Sequence, residues 1–292
     1  MRILKILTLL WFPFFISANA QVKEVAGFQN PESVIAFRGK LFVSNLGVQL
    51  DPTSKDGDGY ISMLSRKEGK MIEEKFLTGL NSPKGMIVRC GKLVVADVDK
   101  VVVFRIKTKK KIWEGDLSKE GIVYANDLAK SCGGVFVTAT DKNAIYKVCM
   151  SGKVKKLPIK VELPGANGLA KGCCKLYIAN YGDGTNPNGN FGKINRCSKK
   201  FKMMKGDGAY DGIVKVCHHL VLTDWVNPAE NKGRLMVYNL YKKKLTELSI
   251  GRPIDGPADL FYDCHTKTFW IPAMRENKIL GVSYKTIKKA GF

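Results

Sequence analysis

The chain repeats one sequence pattern six times, and this repeat constrains its fold more than any other feature. Each copy begins with a small or polar residue, continues into an apolar stretch, makes a tight turn and then enters a second apolar stretch. The equivalent positions are Glu32, Lys84, Asn126, Asn167, Asp211 and Ala258, separated by 52, 42, 41, 44 and 47 residues. A period in the forties, with short β-type segments and glycine-containing turns, is typical of a β-propeller in which each repeat forms one blade.

Each repeat is long enough for four short strands, so the sequence predicts an all-β, six-bladed β-propeller with four-stranded blades. The sixth repeat shows only three clear strands, which end near residues 279–284. A spare β-type segment, Val22 to Ala26, precedes the first repeat. We therefore predict that this N-terminal strand closes the last blade, because an open ring would leave unpaired strand edges.

The first 20 residues have the features of a secretory signal peptide. Positive charges precede an apolar run from Ile6 to Ile16, and an A-x-A motif follows at residues 18–20. The run is too short to span a bilayer comfortably, although an uncleaved anchor is the alternative. We expect residues 1–20 to be removed and residues 21–292 to form a single domain without a transmembrane segment, in a protein that is secreted or periplasmic.

The formal net charge of +22 bears on the choice of partner. Such a charge attracts polyanions and anionic surfaces. Nucleic acid is disfavoured, because an exported chain does not meet it and because the basic residues form scattered short runs, such as Lys109 to Lys111 and Lys242 to Lys244. We expect a monomer that acts on a small-molecule substrate, for which an anionic molecule is one option. We also expect that its surface can contact an anionic surface or a polyanion.

Four of the six equivalent positions carry oxygen ligands suited to a hard cation. The innermost strand of each propeller blade starts near the central axis, so these side chains are expected to point into one small volume. Two carboxylates, Glu32 and Asp211, and two amides, Asn126 and Asn167, would meet there. Ca²⁺ prefers such oxygens, and the set contains no His or Cys that would indicate zinc or copper. The sequence predicts a site for Ca²⁺ or another divalent metal, although turn chemistry explains any one of these residues alone.

Lys84 takes the equivalent position of the second repeat. A buried cation beside a divalent metal is costly unless it is paired. Two interpretations are open: an ion pair with Glu32 or Asp97, and a contact with an anionic substrate. Asp97, Asn180 and Asp224 end second strands, where they either orient the metal ligands or simply begin turns.

The ordered set Glu32, Asn126, Asn167 and Asp211, with the spacing of the repeats, resembles the regucalcin/gluconolactonase (senescence-marker-protein) family. It is also similar to the phosphotriesterase and paraoxonase propellers. The resemblance covers essentially the whole mature chain and implies that these four residues bind the metal. It further implies that Asp211 is the general base or nucleophile of lactone or ester hydrolysis. Tyr124 departs from the pattern, since the mammalian-type lactonases have an arginine there, and the paraoxonase-type histidine dyad has no counterpart.

Two functions from different classes remain open. One is a metal-dependent hydrolase of a lactone, ester or phosphoester, with Asp211 and Lys84 as its catalytic residues. The other is a non-catalytic binding propeller, similar to those built from NHL repeats, in which the metal staples the blades and a basic surface binds an anionic partner. The intact ligand set favours the enzyme, whereas the missing arginine and the positive charge favour binding. Fold alone does not decide between them.

Three long loops are expected on the face that carries the metal. They span residues 46–59, 181–191 and 225–232. Long loops of this kind are commonly functional, so we predict a one-sided lid that selects the substrate. Tyr181 and Trp225 are the aromatic candidates for substrate contacts, with packing on their own blades as the alternative. The three histidines, His218, His219 and His265, are expected to be exposed turn residues on the opposite side.

The eight cysteines also fall in turns that lie away from the predicted metal site. An exported chain permits disulfides, so we assign these residues a structural role. Intrablade bridges between Cys132 and Cys149, and between Cys197 and either Cys173 or Cys174, are geometrically reasonable.

Overall fold

The computed structural model describes residues 22–285 and shows six four-stranded antiparallel sheets, which confirms the six-bladed propeller. The first blade contains β2 (Pro31–Phe37), β3 (Lys40–Asn45), β4 (Gly59–Ser65) and β5 (Met71–Leu80). The second contains β6 (Pro83–Arg89), β7 (Lys92–Asp97), β8 (Lys100–Arg105) and β9 (Lys111–Asp116). The third contains β10 (Ala125–Ser131), β11 (Gly134–Ala139), β12 (Ala144–Cys149) and β13 (Val154–Lys156). The fourth blade contains β14 (Ala166–Lys171), β15 (Lys175–Asn180), β16 (Phe191–Asn195) and β17 (Phe201–Met203). The fifth contains β18 (Tyr210–Val216), β19 (His219–Asp224), β20 (Arg234–Asn239) and β21 (Lys244–Leu248).

The last blade combines the two ends of the described chain. It contains β22 (Phe261–Asp263), β23 (Thr268–Ala273), β24 (Lys278–Ser283) and the N-terminal strand β1 (Val22–Ala26). Strand β1 pairs with β24, with Val22 opposite Val282, as the sequence predicted. The Nζ of Lys278 donates to Glu24 Oε2 over 2.8 Å, which adds an ion pair to this seam. The predicted signal peptide lies outside the described residues.

The core lies between the blades and not inside any single one. Val94 and Val101 of the second blade, for example, belong to the same buried cluster as Val135 and Val137 of the third. The runs of apolar residues in the second strands are buried on both faces because each sheet is covered by a neighbour on either side. Burial between blades therefore fixes the ring and places the starts of the inner strands around one axis.

Short 3₁₀ turns are the remaining regular elements of the described residues, at Ser118–Glu120, Thr140–Lys142 and Met274–Glu276. Among residues 22–285, no helix is long and apolar enough to cross a membrane.

Each of the first five inner strands has an irregular start that positions its first side chains. The regular ladder shifts between Pro31 and Ser33 in the first blade, and between Ala125 and Leu128 in the third. Equivalent shifts occur in the second, fourth and fifth blades. A bulge of this kind turns a side chain out of its regular direction and is common beside functional sites. In this chain the bulges include the equivalent positions of the first five repeats.

Two expectations about the opposite face need correction. The side chains of all eight cysteines are free thiols, and the predicted bridges are absent from the described residues. His219 is buried, because it begins β19 and its ring lies against that of His218 at a centroid distance of 4.1 Å. The sequence placed His219 in a turn because the strand begins one residue earlier than its apolar run.

Candidate functional site

The structure brings the five predicted site residues into one cavity. Its volume is about 240 Å³. Its walls combine these polar residues with aromatic and apolar side chains from the surrounding loops. The cavity is lined by Glu32, Lys84, Asn126, Asn167 and Asp211 together with Leu46, Leu50, Pro52, Tyr124, Tyr181, Trp225, Met274 and Arg275. The sequence therefore identified the polar floor of the cavity.

The two carboxylates of this floor are buried and destabilise each other. Burial is the main reason why the pKa of Glu32 lies well above its ordinary value, and the nearby charge of Asp211 raises it further. Burial also raises the pKa of Asp211 to about 8, with a further contribution from Asp259. Without a compensating positive charge, Asp211 would hold its proton at neutral pH.

The Asn126 amide is oriented by its neighbours. Its Nδ2 donates to Thr140 Oγ1 over 3.2 Å, and that hydroxyl donates to the backbone carbonyl of Ala166 over 2.8 Å. Because the hydroxyl proton is committed to Ala166, Thr140 can only accept from Asn126. The amide nitrogen is thus fixed, and the amide oxygen Oδ1 is left to face the cavity.

Three buried oxygens of this cavity have no hydrogen-bond partner among residues 22–285. They are Glu32 Oε2, Asn126 Oδ1 and Asp211 Oδ1, and they come from three different blades. A buried acceptor without a partner costs roughly 1–3 kcal/mol, so three in one cavity need an explanation. A hard divalent cation bound by carboxylate and amide oxygens would satisfy all three at once. The described residues contain no cluster of three or more His, Cys, Asp or Glu side chains with metal-binding geometry, so amides must complete any such site.

Lys84 is fully buried, and neither ion pair expected from the sequence is present. Its Nζ donates to the backbone carbonyl of Ser82 over 2.8 Å and lies 5.1 Å from the ring centroid of Tyr124. Burial lowers the pKa of Lys84 to about 8, while Glu32 acts in the opposite direction. The ammonium group therefore stands beside the carboxylates without contacting them, and two of its three protons remain available to a bound anion.

The predicted lid loops reach the cavity. Trp225 Nε1 donates to Asp211 Oδ2 over 3.1 Å, so this tryptophan contacts the site, and its ring packs against residues of neighbouring blades such as Met274. The ring of Tyr181 meets the Trp225 ring edge to face, with centroids 5.7 Å apart. The Arg275 guanidinium lies 4.9 Å from the Trp225 ring centroid. Residues of the loops at 46–59, 181–191 and 225–232 thus all line the cavity.

A second polar layer beneath this floor was missed by the sequence analysis. Asp127 Oδ2 accepts the amide proton of Leu169 in the next blade over 2.6 Å, and Asp259 Oδ2 accepts the hydroxyl proton of Ser33 across the seam over 2.8 Å. These carboxylates directly follow the repeat positions, and glycines in the same register make room for them. A Cβ on Gly85 would stand 2.5 Å from Asp127 Oδ1. The restriction of this position to serine, glycine and aspartate in all six repeats was the available signal.

The strand-end residues serve the loops instead of the metal ligands. Asp97 accepts the backbone amide proton of Asn81, and Asp224 accepts those of Ala209 and Val226. Asn180 Nδ2 donates to Asn190 Oδ1 over 2.7 Å. These contacts support the turn interpretation.

Comparison with known proteins supports the fold. No protein-family model matches the sequence, and no curated protein matches it. The structure is similar to a gluconolactonase from Xanthomonas campestris, with 12% identity, a TM-score of 0.68, and coverage of 91% of this chain and 90% of that one. It is also similar to virginiamycin B lyase from Staphylococcus aureus, with 18% identity, a TM-score of 0.60, and coverage of 90% and 99%. A chain of a nidogen/laminin complex gives 16% identity, a TM-score of 0.54, and coverage of 75% and 79%.

At these identities the similarities establish the fold alone. They agree with the resemblance to the regucalcin/gluconolactonase propellers at the level of architecture.

Proposed function

We propose that this protein is a divalent-metal-dependent hydrolase that cleaves a lactone, an ester or a phosphoester. The metal is Ca²⁺ or a similar hard cation, held by Glu32, Asn126, Asn167 and Asp211. One observation carries the proposal: three buried oxygens from three blades converge on one cavity without hydrogen-bond partners. Two of the similar structures are named for enzymatic activities, a gluconolactonase and a lyase, which favours an enzyme.

The bound cation would polarise the scissile carbonyl or phosphoryl oxygen. The residues of the chain would position the substrate and move the proton. Asp211 Oδ2 is oriented by Trp225, and its other oxygen is free to face the metal or the substrate. With its positive neighbour in place, Asp211 would ionise and act as the general base or nucleophile.

Lys84 would stabilise negative charge on the substrate or on the transition state. Its ammonium group is buried, and within the part of the chain that the structure describes its one hydrogen bond is to the carbonyl of Ser82. A charged donor in a cavity shielded from water stabilises negative charge more strongly than it would in solvent. We assign Lys84 to the substrate anion or to the oxyanion that develops during cleavage.

The cavity limits what the substrate can be. A volume of about 240 Å³ admits a small molecule, or only the reacting end of a larger one. Apolar and aromatic groups such as Leu50, Tyr181 and Trp225 form its upper walls. This lining favours a substrate whose body is at least partly apolar.

A binding function is the second candidate. Trp225 already occupies one oxygen of Asp211, which leaves a single free oxygen for both metal binding and base catalysis. One similar fold comes from a nidogen/laminin complex, and the chain has a net charge of +22. In this case the cation would staple the blades, and the basic surface would bind an anionic partner.

Turnover assays with two variants separate the candidates. The mature protein, loaded with Ca²⁺, is tested on lactones, carboxylic esters and phosphoesters with apolar and anionic groups. The enzyme hypothesis predicts turnover of at least one class of substrate. Both EDTA and Asp211→Asn should abolish this turnover. Lys84→Met should reduce it without preventing Ca²⁺ binding. The enzyme hypothesis would be contradicted if the protein binds Ca²⁺ but cleaves none of these substrates. The binding function would be favoured if, in addition, the Asp211→Asn variant binds heparin or anionic vesicles as the wild type does.

A further inference from the structure

A second cavity, of about 560 Å³, lies between the third and fourth blades. It is formed by the turns that follow the inner strands β10 and β14, so it lies at the opposite end of these strands from the candidate site. Four of the eight cysteines line it. They are Cys132, Cys173, Cys174 and Cys197.

The described residues that line this cavity include five cations and no acidic side chain. The cations are Lys147, Lys155, Lys156, Arg196 and Lys199. Phe136, Leu157 and Pro158 form an apolar part of the wall. A concave surface of one charge attracts ligands of the opposite charge and raises their local concentration. The cavity is therefore suited to an anionic ligand.

Cys173 and Cys197 lie in two turns that start side by side at the same edge of the fourth blade. Lys175 of β15 is paired with Asn195 of β16, and the next hydrogen bond runs from the Arg196 amide to the Cys174 carbonyl over 3.0 Å. Cys173 and Cys197 each lie one residue beyond that bond. Both thiols are exposed and line the cavity, so the two turns present them to the same ligand.

Local contacts favour Cys173 as the reactive thiol. The Cys174 thiol donates to Cys173 Sγ over 3.9 Å, so the two sulfurs are direct neighbours. This hydrogen bond is the main reason why the pKa of Cys174 is raised. The Arg196 side chain donates to the Cys173 carbonyl over 3.1 Å, so a guanidinium stands beside the same residue. A guanidinium at this position would hold an anionic ligand close to the Cys173 thiol.

The other blades do not have this arrangement. In the third blade, Cys149 is paired with Gly134, so Cys132 lies two residues away from its register partner. Such diagonal Cα distances are about 7–8 Å, beyond what a disulfide bridges, which accounts for the failure of the predicted Cys132–Cys149 pair. Cys90 and Cys217 occupy the same turn in other blades, and neither lines this cavity.

We propose that this cavity is a thiol–disulfide exchange site for anionic low-molecular-weight disulfides, with Cys173 as the attacking residue and Cys197 as the resolving residue. The Cys173 thiolate attacks one sulfur of the ligand, forming a mixed disulfide and releasing one ligand thiolate. Cys197, after losing its proton to solvent, attacks Cys173 Sγ and releases the second thiolate. The two cysteines lose two electrons and two protons, and the ligand disulfide gains them as two thiols.

The test uses the mature, reduced, full-length protein and three disulfide probes. These are glutathione disulfide, which is anionic, bis(2-hydroxyethyl) disulfide, which is neutral, and cystamine, which is cationic. Peptide mapping by mass spectrometry follows the products with time. We expect a Cys173–Cys197 link that forms about tenfold or more faster with glutathione disulfide than with cystamine at low salt. Lys155→Gln combined with Lys156→Gln should reduce that preference, as should high salt.

Two single variants identify the roles of the cysteines. Cys197→Ser should stop the reaction at a mixed disulfide on Cys173. Cys217→Ser is the matched control, because it removes an exposed thiol from the same turn of another blade, and it should leave the rate unchanged. Equal labelling of Cys90, Cys217 and Cys173 in the wild type, or an equal or faster reaction with cystamine, would overturn the proposal. Neither result depends on the metal site.

Discussion

Replacement of Asp211 by asparagine should stabilise the metal-free protein at neutral pH. Burial raises the pKa of Asp211 from an ordinary value of 3.8 to about 8. At pH 7 the folded carboxyl group therefore keeps its proton, whereas the unfolded one has lost it. The pH lies about three units above the unfolded pKa, and each unit corresponds to about 1.4 kcal/mol, so this ionisation favours unfolding by up to about 4 kcal/mol. Asp211→Asn removes that contribution, because an amide does not titrate.

The pH dependence follows from the same shift. A carboxyl group whose folded pKa is raised binds more protons in the folded state, so its contribution to stability falls as the pH rises from about 4 to about 8. Above pH 8 the folded group ionises as well, and the loss levels off. For a domain of this size, 4 kcal/mol corresponds to a rise in Tm of roughly 10 °C.

Calorimetry in EDTA between pH 4.5 and 8.5 tests this reasoning. The wild type should lose Tm as the pH rises, and Asp211→Asn should lose less and melt higher at pH 7. Ca²⁺ should then reverse the order, because only the wild type has the full ligand set. Glu68→Gln, a substitution of an exposed carboxylate, is the control and should leave the profile unchanged. If Asp211→Asn melts lower than the wild type in EDTA at pH 7, the account of the buried carboxylates is wrong.

Three further predictions concern the surroundings of the site. Trp225→Phe removes a hydrogen bond that helps to lower the pKa of Asp211, so Ca²⁺ affinity at pH 7 should fall about tenfold and recover at higher pH. A loss of affinity that calorimetric titration shows to be independent of pH would refute this. Gly168→Ala places a Cβ 2.3 Å from the Asp211 carbonyl oxygen, so the free energy of unfolding measured with urea should fall by about 3 kcal/mol or more. An unchanged free energy of unfolding would contradict the close approach of these strands. Deletion of residues 21–26 removes β1 and exposes the edge of β24, so the Tm should drop sharply and the variant should associate through that edge. A monomer with an unchanged Tm would show that the pairing of β1 with β24 does not stabilise the ring.

The repeat was sufficient to predict the architecture because its spacing and turn chemistry are local properties of the sequence. The closing strand was also predictable, since Val22 to Ala26 had no other partner in a ring of six blades. The same register argument placed Glu32, Asn126, Asn167 and Asp211 in one cavity, where the structure finds them together.

The contacts that depend on packing between blades could not be predicted. In place of the expected ion pairs, the Lys84 ammonium group donates to the carbonyl of Ser82 and stands over the Tyr124 ring, two loop residues whose positions depend on packing between blades. Asp127 and Asp259 were missed because their partners lie in other blades. Cys132 and Cys149 appeared able to bridge, but the strand register offsets them by two residues.

Isothermal titration of the mature, EDTA-treated protein with Ca²⁺ tests the central claim most directly. The arrangement of the axial oxygens predicts one bound ion per chain, with release of protons at pH 7 as the buried carboxylates ionise. Glu32→Gln should abolish binding, and Asn126→Ala should weaken it. Absence of binding in the wild type, or binding that persists unchanged in Glu32→Gln, would contradict the claim that these oxygens hold a divalent cation.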